Sequence, residues 1–194
     1  MKIKIYADGA NLEEMKDALR TDIIAGFTTN PTLMKKAGVT DYLKFVEDSL
    51  YHIKDKPISF EVFSDDFEEM YVQARKLAAL GDNVYVKIPV TNTKGQFTGE
   101  LIKRLDSENI KMNITAVFTL DQVIKNHNPH LQLLWASPRE VLNVYQANQV
   151  GCDIITGTLQ LLNKLSLYNK SLSEFSRETV QMFFDDANSS GFTL

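Results

Sequence analysis

Apolar residues recur along this chain with two periods in turn, every second residue and then every third or fourth, and the two patterns alternate almost from end to end. The first pattern predicts strands over Lys2 to Asp8, Ile23 to Thr29, Pro57 to Phe63, Val84 to Val90, Met112 to Phe118, Leu131 to Ser137 and Cys152 to Thr158. The second predicts helices between them. Leu12, Met15 and Leu19 share one side of Asn11 to Leu19, and Leu43, Val46, Leu50 and Ile53 share one side of Asp41 to Ile53. Pro31 suits the first turn of a helix, with Asn30 as its N-cap. Asp65 to Leu80 carries acidic residues in its first turn, where the helix dipole favours them. Gly99 to Leu105 is a short helix, Thr119 caps a helix start at Leu120 to Val123, and Pro138 opens a helix to about Gln149. Leu159 to Leu165 and a C-terminal helix around Leu172 to Ala187 complete the series.

Strand followed by helix, seven times, predicts an α/β fold of parallel βα units. The glycine-rich phosphate loop of a dinucleotide fold is missing from the first unit, so a (β/α) barrel is favoured over a doubly wound sheet. A barrel of the usual kind closes with eight strands, and this chain supplies seven. Its 194 residues suit a single domain, with no linker or repeat along 1–194.

Composition narrows the function. Hydrophobic residues make up 44% and charged ones 24%, as in an ordinary globular protein, and the net charge of −4 offers no basic field for nucleic acid or anionic membrane. No apolar run is long enough to span a bilayer, and Met1 to Tyr6 reads as a strand rather than a signal peptide, so a cytoplasmic protein is expected. Cys152, the single cysteine, excludes an internal disulfide and sits beside Ile154-Ile155 as buried packing. His127 and His130 fall in a polar, proline-containing loop, and a histidine metal site is not expected.

The candidate chemistry starts at Lys87, a lysine inside the apolar run Val84 to Val90. Desolvating an ammonium costs several kcal/mol unless it is paired or loses its proton, so such a lysine is either on a solvated edge or is a nucleophile. Strand parity separates the two readings. Ile3, Ile5 and Ala7 share a face while Asp8 ends the other; Glu61 lies opposite Ile58, Phe60 and Val62. Lys87 opposes Val84, Val86 and Ile88, and Asn113 and Thr115 alternate with Met112, Ile114 and Ala116. Thr28 and Asn30 end the second strand, and Ser137 the sixth, with Arg139 two residues on. Polar residues at matching depth on successive strands describe a pocket at the C-terminal ends, where barrel enzymes keep their sites. In that pocket Lys87 can add to a ketone, Glu61 and Thr115 can move protons through a water as the iminium forms, and Asp8 can act as general base on a hydroxyl. Asn30 and Asn113 suit substrate hydroxyls, and Arg139, at a helix start, suits a phosphate. The plainer readings are a buried ion pair for Lys87 and Glu61, a helix cap for Asn30, a solvated first-turn residue for Arg139 and a turn at Asp8-Gly9.

Six segments carry a resemblance: Ala7-Asp8, Gly26-Phe27-Thr28-Thr29-Asn30-Pro31-Thr32, Glu61-Val62, Val86-Lys87-Ile88-Pro89-Val90-Thr91, Asn113-Ile114-Thr115-Ala116-Val117-Phe118 and Trp135-Ala136-Ser137-Pro138-Arg139. Through them the chain resembles the transaldolase family, in its small subfamily that includes fructose-6-phosphate aldolase. The resemblance implies a (β/α)8 barrel and a class I mechanism without metal or cofactor. A dihydroxyacetone unit would pass from fructose 6-phosphate or sedoheptulose 7-phosphate to glyceraldehyde 3-phosphate or erythrose 4-phosphate, in the non-oxidative pentose phosphate pathway. It implies Lys87 as the Schiff-base lysine, Asp8 as general base, and Glu61 with Thr115 as holders of the catalytic water. It also implies Asn30, Asn113 and Thr28 as substrate contacts, and Ser137 with Arg139 as the phosphate site. Glutamate at position 61 favours transaldolase, because the aldolase branch carries glutamine there. The resemblance further implies a homo-oligomer, pentamer or decamer, with the C-terminal helix on a neighbouring subunit. Relatives carry a sixth βα unit of about thirty residues where Val123 here runs into Ile124 to Pro129. Two explanations stay open, a true deletion or a sequence that omits residues the protein carries. An aldolase, or a degenerate barrel kept as a binding or assembly subunit, are the competing functions.

Overall fold

The computed structural model describes residues 1–119 and 131–191. Its strands are β1 (Lys4–Asp8), β2 (Ile24–Thr28), β3 (Ile58–Glu61), β4 (Val84–Pro89), β5 (Met112–Thr115), β6 (Leu134–Ala136) and β7 (Ile154–Gly157). They form one parallel sheet in the order β5-β4-β3-β2-β1-β7-β6. The helices are α1 (Leu12–Leu19), α2 (Pro31–Lys36), α3 (Tyr42–His52), α4 (Phe67–Ala78), α5 (Gly99–Ser107), α6 (Leu142–Gln149), α7 (Leu159–Leu162) and α8 (Leu172–Ser189), with a 3-10 turn over Asn163–Leu167. Among the described residues this is the α/β architecture of a (β/α) barrel with seven strands. Among the described residues β5 and β6 are sheet edges and do not pair with each other. The helix expected from Leu120, and the loop holding His127 and His130, lie outside the described residues.

Short polar side chains start the helices by accepting the N–H groups that a first turn leaves without partners: Asn11 for α1, Asn30 for α2, Asp41 for α3, Asp66 for α4 and Thr158 for α7. The buried stripe of α3 runs through Phe45, Val46 and Ser49 to Ile53 just beyond it; Leu43, expected on that stripe, lies one position off it and is exposed. The apolar parity of the strands faces the helices, and Ile5, Ala7, Phe27, Ile58, Phe60, Val84, Val86 and Ile88 join one core with Met15, Val46, Met70 and Leu105. Burying each of the larger ones stabilises the fold by about 1.5–3 kcal/mol. Cys152 is buried beside this core and unbridged.

Every strand is shorter than its apolar run, β3, β5, β6 and β7 most of all. β5 stops at Thr115 rather than Phe118, because its partner β4 ends at Pro89 and the last bond across is Val90 N–H to Thr115 O. Ala116 then takes a φ of 60°, which leaves extended geometry, and Phe118 is 92% exposed. β6 spans only Leu134–Ala136, pairing with Ile154 to Thr156 of the four-residue β7, and Ser137 turns away with a φ of 56°. The helix expected from Pro138 begins at Leu142.

The other parity faces a concave surface. Strands two apart in a flat sheet are separated by about 9.5 Å, yet three side-chain bonds cross that interval. Thr28 and Thr156 meet across β1 with 2.6 Å between hydroxyls, the Lys87 ammonium reaches the Thr29 carbonyl past β3 at 2.9 Å, and the Asn113 amide reaches the Ser59 hydroxyl past β4 at 3.2 Å. Only strong curvature toward that face permits all three. Gly26 serves the curvature, since a Cβ there would meet the buried Tyr6 ring at 2.6 Å. Gly26→Ala is expected to destabilise the protein by about 1–3 kcal/mol through overpacking. A denaturant titration checks this, and a second substitution of Tyr6 by leucine should recover part of the loss.

Candidate active site

β3 and β4 pair with Glu61 opposite Lys87, and β4 and β5 with Lys87 opposite Asn113, so three predicted residues stand in one row across the sheet. Lys87 is 8% exposed. Its ammonium lies 3.2 Å from the Glu61 carboxylate and donates to the Thr29 carbonyl at the end of β2. Thr29 is itself fixed, its N–H and hydroxyl both donating to the Ser59 carbonyl. A desolvated ammonium thus has one charged and one neutral oxygen partner, which is what burial demands.

Asp8 ends β1 on the same face, opposite Thr28. The Thr28 hydroxyl donates to its carboxylate at 2.7 Å. Burial raises the Asp8 pKa above the ordinary carboxyl range, and the Thr28 hydrogen bond and the nearby Lys87 charge offset that only in part. The group is therefore held as a stronger base than a solvated aspartate. Asn113 and Thr115 project from β5 at the edge, half-buried, with Thr115 opposite Pro89.

The remaining predicted residues are placed differently. Asn30 does cap α2, its side-chain oxygen accepting from Leu33 N–H, so the amide NH2 is the end left for a ligand. Ser137 and Arg139 are exposed beyond β6, the sheet edge farthest from β5, and belong to none of the bonds joining Asp8, Thr28, Glu61 and Lys87. Arg139 does not sit at a helix start as expected. Its N–H, with that of Glu140, donates to the Asn143 side chain in the loop before α6. Asn143 satisfies these amides locally and delays the helix. Pro138 keeps the segment against the end of β7, close enough that a Cβ on Gly157 would lie 3.0 Å from its ring.

Sequence reasoning passed over Tyr42, Ser59 and Thr156. Tyr42, the first residue of α3, donates its hydroxyl to the Glu61 carbonyl at 2.7 Å and sets its ring edge-on to Phe63. Burial and the Glu61 carboxylate push its pKa up, so it remains a donor. Ser59 receives the Asn113 amide and Thr156 the Thr28 hydroxyl contact. The Ser59 and Thr156 positions follow strand parity, which was the available signal; Tyr42 lies on a helix face that reads as core.

The raised Asp8 pKa has a consequence for stability. A carboxyl that binds its proton more tightly folded than unfolded contributes stability below its unfolded pKa, and loses it as pH rises through the folded value. Asp8→Asn is thus expected to melt above the wild type at pH 7 and to converge with it below about pH 4, where both are uncharged. Calorimetric melting across pH 3.5–8 checks the sign.

Comparison with known proteins bears on the family. The family described as Transaldolase/Fructose-6-phosphate aldolase matches residues 5–126. A protein named "Probable transaldolase" from Dehalococcoides mccartyi is 37% identical over 122 residues, 63% of this chain and 55% of that relative. Another of that name, from Thermoplasma volcanium, is 31% identical over 213 residues, covering 89% of this chain and 93% of the relative. A third, from Clostridioides difficile, is 29% identical over 214 residues, covering 91% and 96%. The last two aligned stretches exceed the 194 residues of this chain, so those relatives carry residues with no counterpart here. With Asp8, Thr28, Glu61, Lys87 and Asn113 all inside the matched segment, the chain belongs to the transaldolase/fructose-6-phosphate aldolase family of enzymes.

Proposed function

We propose that this protein is a transaldolase that moves a dihydroxyacetone unit between sugar phosphates through a Schiff base on Lys87. The observation that carries the reading is the buried Lys87 amine, on a concave polar face with the Glu61 carboxylate 3.2 Å away. To attack a ketone the amine must give up a proton, and Glu61 is within reach to take it. Loss of water from the carbinolamine, with Glu61 and Thr115 moving the protons through a water, forms the iminium. Asp8 then takes the proton of the hydroxyl two carbons from the iminium carbon. The bond between the carbon bearing that hydroxyl and the carbon next to the iminium breaks, its electrons pass into the iminium to give an enamine, and an aldehyde leaves. Addition of the enamine to an acceptor aldose phosphate, with the proton returned from Asp8, and hydrolysis complete the transfer.

Asn30, Asn113 and Thr28 hold substrate hydroxyls in this scheme, and Ser137 and Arg139 the phosphate. The reaction draws on side chains alone, without metal or cofactor. Donors would be fructose 6-phosphate and sedoheptulose 7-phosphate, and acceptors glyceraldehyde 3-phosphate and erythrose 4-phosphate. The acidic surface suits neither nucleic acid nor anionic membrane as a partner. Among the described residues no helix is long and apolar enough to cross a membrane.

Borohydride reduction in the presence of fructose 6-phosphate tests the central step. Intact-mass analysis should show one covalent adduct, mapping to Lys87, and wild-type protein without an adduct would leave a non-catalytic binding barrel as the better reading. Lys87→Met should lower turnover on the order of a thousandfold or more with its melting temperature largely kept. Product analysis separates the branches: acceptor-dependent transfer supports the transaldolase, whereas free dihydroxyacetone without acceptor supports the aldolase.

The same proposal extends to assembly. No residue of α8 is buried, although it carries Leu172, Phe175, Val180, Met182, Phe183 and Phe184, each exposed. Packing of α8 on a neighbouring subunit in a pentamer or decamer would cover them. Removing residues 171–194 should turn a ring-sized species into monomers in sedimentation velocity; an unchanged size would overturn the role of α8.

A further inference from the structure

Thr156 in β7 has no part in the scheme above, yet it is 2% exposed with its hydroxyl 2.6 Å from that of Thr28. Thr28 in turn donates to the Asp8 carboxylate. A threonine hydroxyl has one proton and two lone pairs. With Asp8 ionised, Thr28 spends its proton on the carboxylate and can only accept in the contact with Thr156. The polarity of the row is thereby fixed, Thr156 donating to Thr28 and Thr28 to Asp8. We propose that Thr156 is a positioning residue that acts through Thr28 to hold the Asp8 carboxylate in the orientation and unprotonated form needed to take the substrate's proton. This rests on Asp8 serving as base in the function proposed above.

Two features make the row effective. It is buried, so each bond polarises the next without competition from water. It also has a partner for either state of Asp8: once the carboxyl has taken its proton it can donate to Thr28, which can then donate to Thr156. The charged group facing Asp8 is Lys87 from β4, with Glu61 beyond it and Tyr6 two residues back on its own strand. The flanking strands, Ile-Ala-Gly-Phe-Thr in β2 and Ile-Ile-Thr-Gly in β7, contain no titratable side chain, nor does α7 with Leu-Gln-Leu-Leu. Hydroxyl donation is therefore what those two neighbours contribute to the charge on Asp8.

Thr156→Val removes the hydroxyl at nearly constant volume, and Thr156→Ser keeps it. Carbon-13 carboxyl NMR of the resting protein follows Asp8 with no turnover, and the pH profile of kcat follows it during turnover. Thr156→Val should move both the Asp8 titration and the acid limb of kcat to higher pH. At the foot of that limb its rate should be about threefold below wild type, a loss at the low end for one hydrogen bond, with KM unchanged. Thr156→Ser should restore the wild-type limb. A valine variant that titrates with the wild type, or a serine variant that matches valine, would overturn the role. Should valine fail to fold, Thr156→Ala against Thr156→Ser makes the same comparison. Absence of a borohydride adduct at Lys87 would retire the Schiff-base reading alone, because the resting-state titration of Asp8 still decides the role of Thr156.

Discussion

The Lys87 ammonium is held by two oxygens from different strands, the Glu61 carboxylate next door on β3 and the Thr29 carbonyl one strand further on. The second is reachable only because the sheet bends toward the lysine. Curvature and site are thus one constraint. The carbonyl accepts from a buried ammonium, a hydrogen bond of about 1.5–3 kcal/mol, so the lysine disfavours any flattening that would pull Thr29 away. Gly26 beneath Tyr6, and the Thr28 to Thr156 contact across β1, hold the same bend from the other side. The buried amine is then a product of the sheet's shape as much as of its sequence neighbours.

All seven strands, and the side to which each polar residue points, could be read from the chain because a parallel sheet covered by helices needs a β-branched apolar parity on one face. Val84, Val86 and Ile88 are buried against helices, so Lys87 between them had to point the other way. The ends of elements were less legible. Nothing in Ala116-Val117-Phe118 marks the end of β5, which is set by the length of β4; nothing in Pro138-Arg139-Glu140 marks a loop, which is set by the side chain of Asn143. Asn30 caps its helix with the side-chain oxygen, as its place before Pro31 indicated. Contacts between strands two apart, such as Thr28 with Thr156, depend on curvature, and parity alone does not report how tightly a sheet is bent.

The open edges divide the site unequally. Asp8, Thr28, Glu61, Lys87 and Asn113 lie on β1 to β5, an uninterrupted run of neighbouring strands, and β7 on the far side of β1 adds Thr156. Among the described residues, the bonds that connect the amine, the carboxylates and their strand supports lie within that run and the neighbouring β7. Ser137 and Arg139 hang instead from β6, which pairs with β7 alone among the described residues. An edge strand of three residues, followed by a serine at positive φ, positions an arginine less rigidly than an interior strand paired on both sides positions a lysine. In the transfer proposed above, the carbonyl chemistry therefore draws on the interior of the sheet and the phosphate contact on its edge.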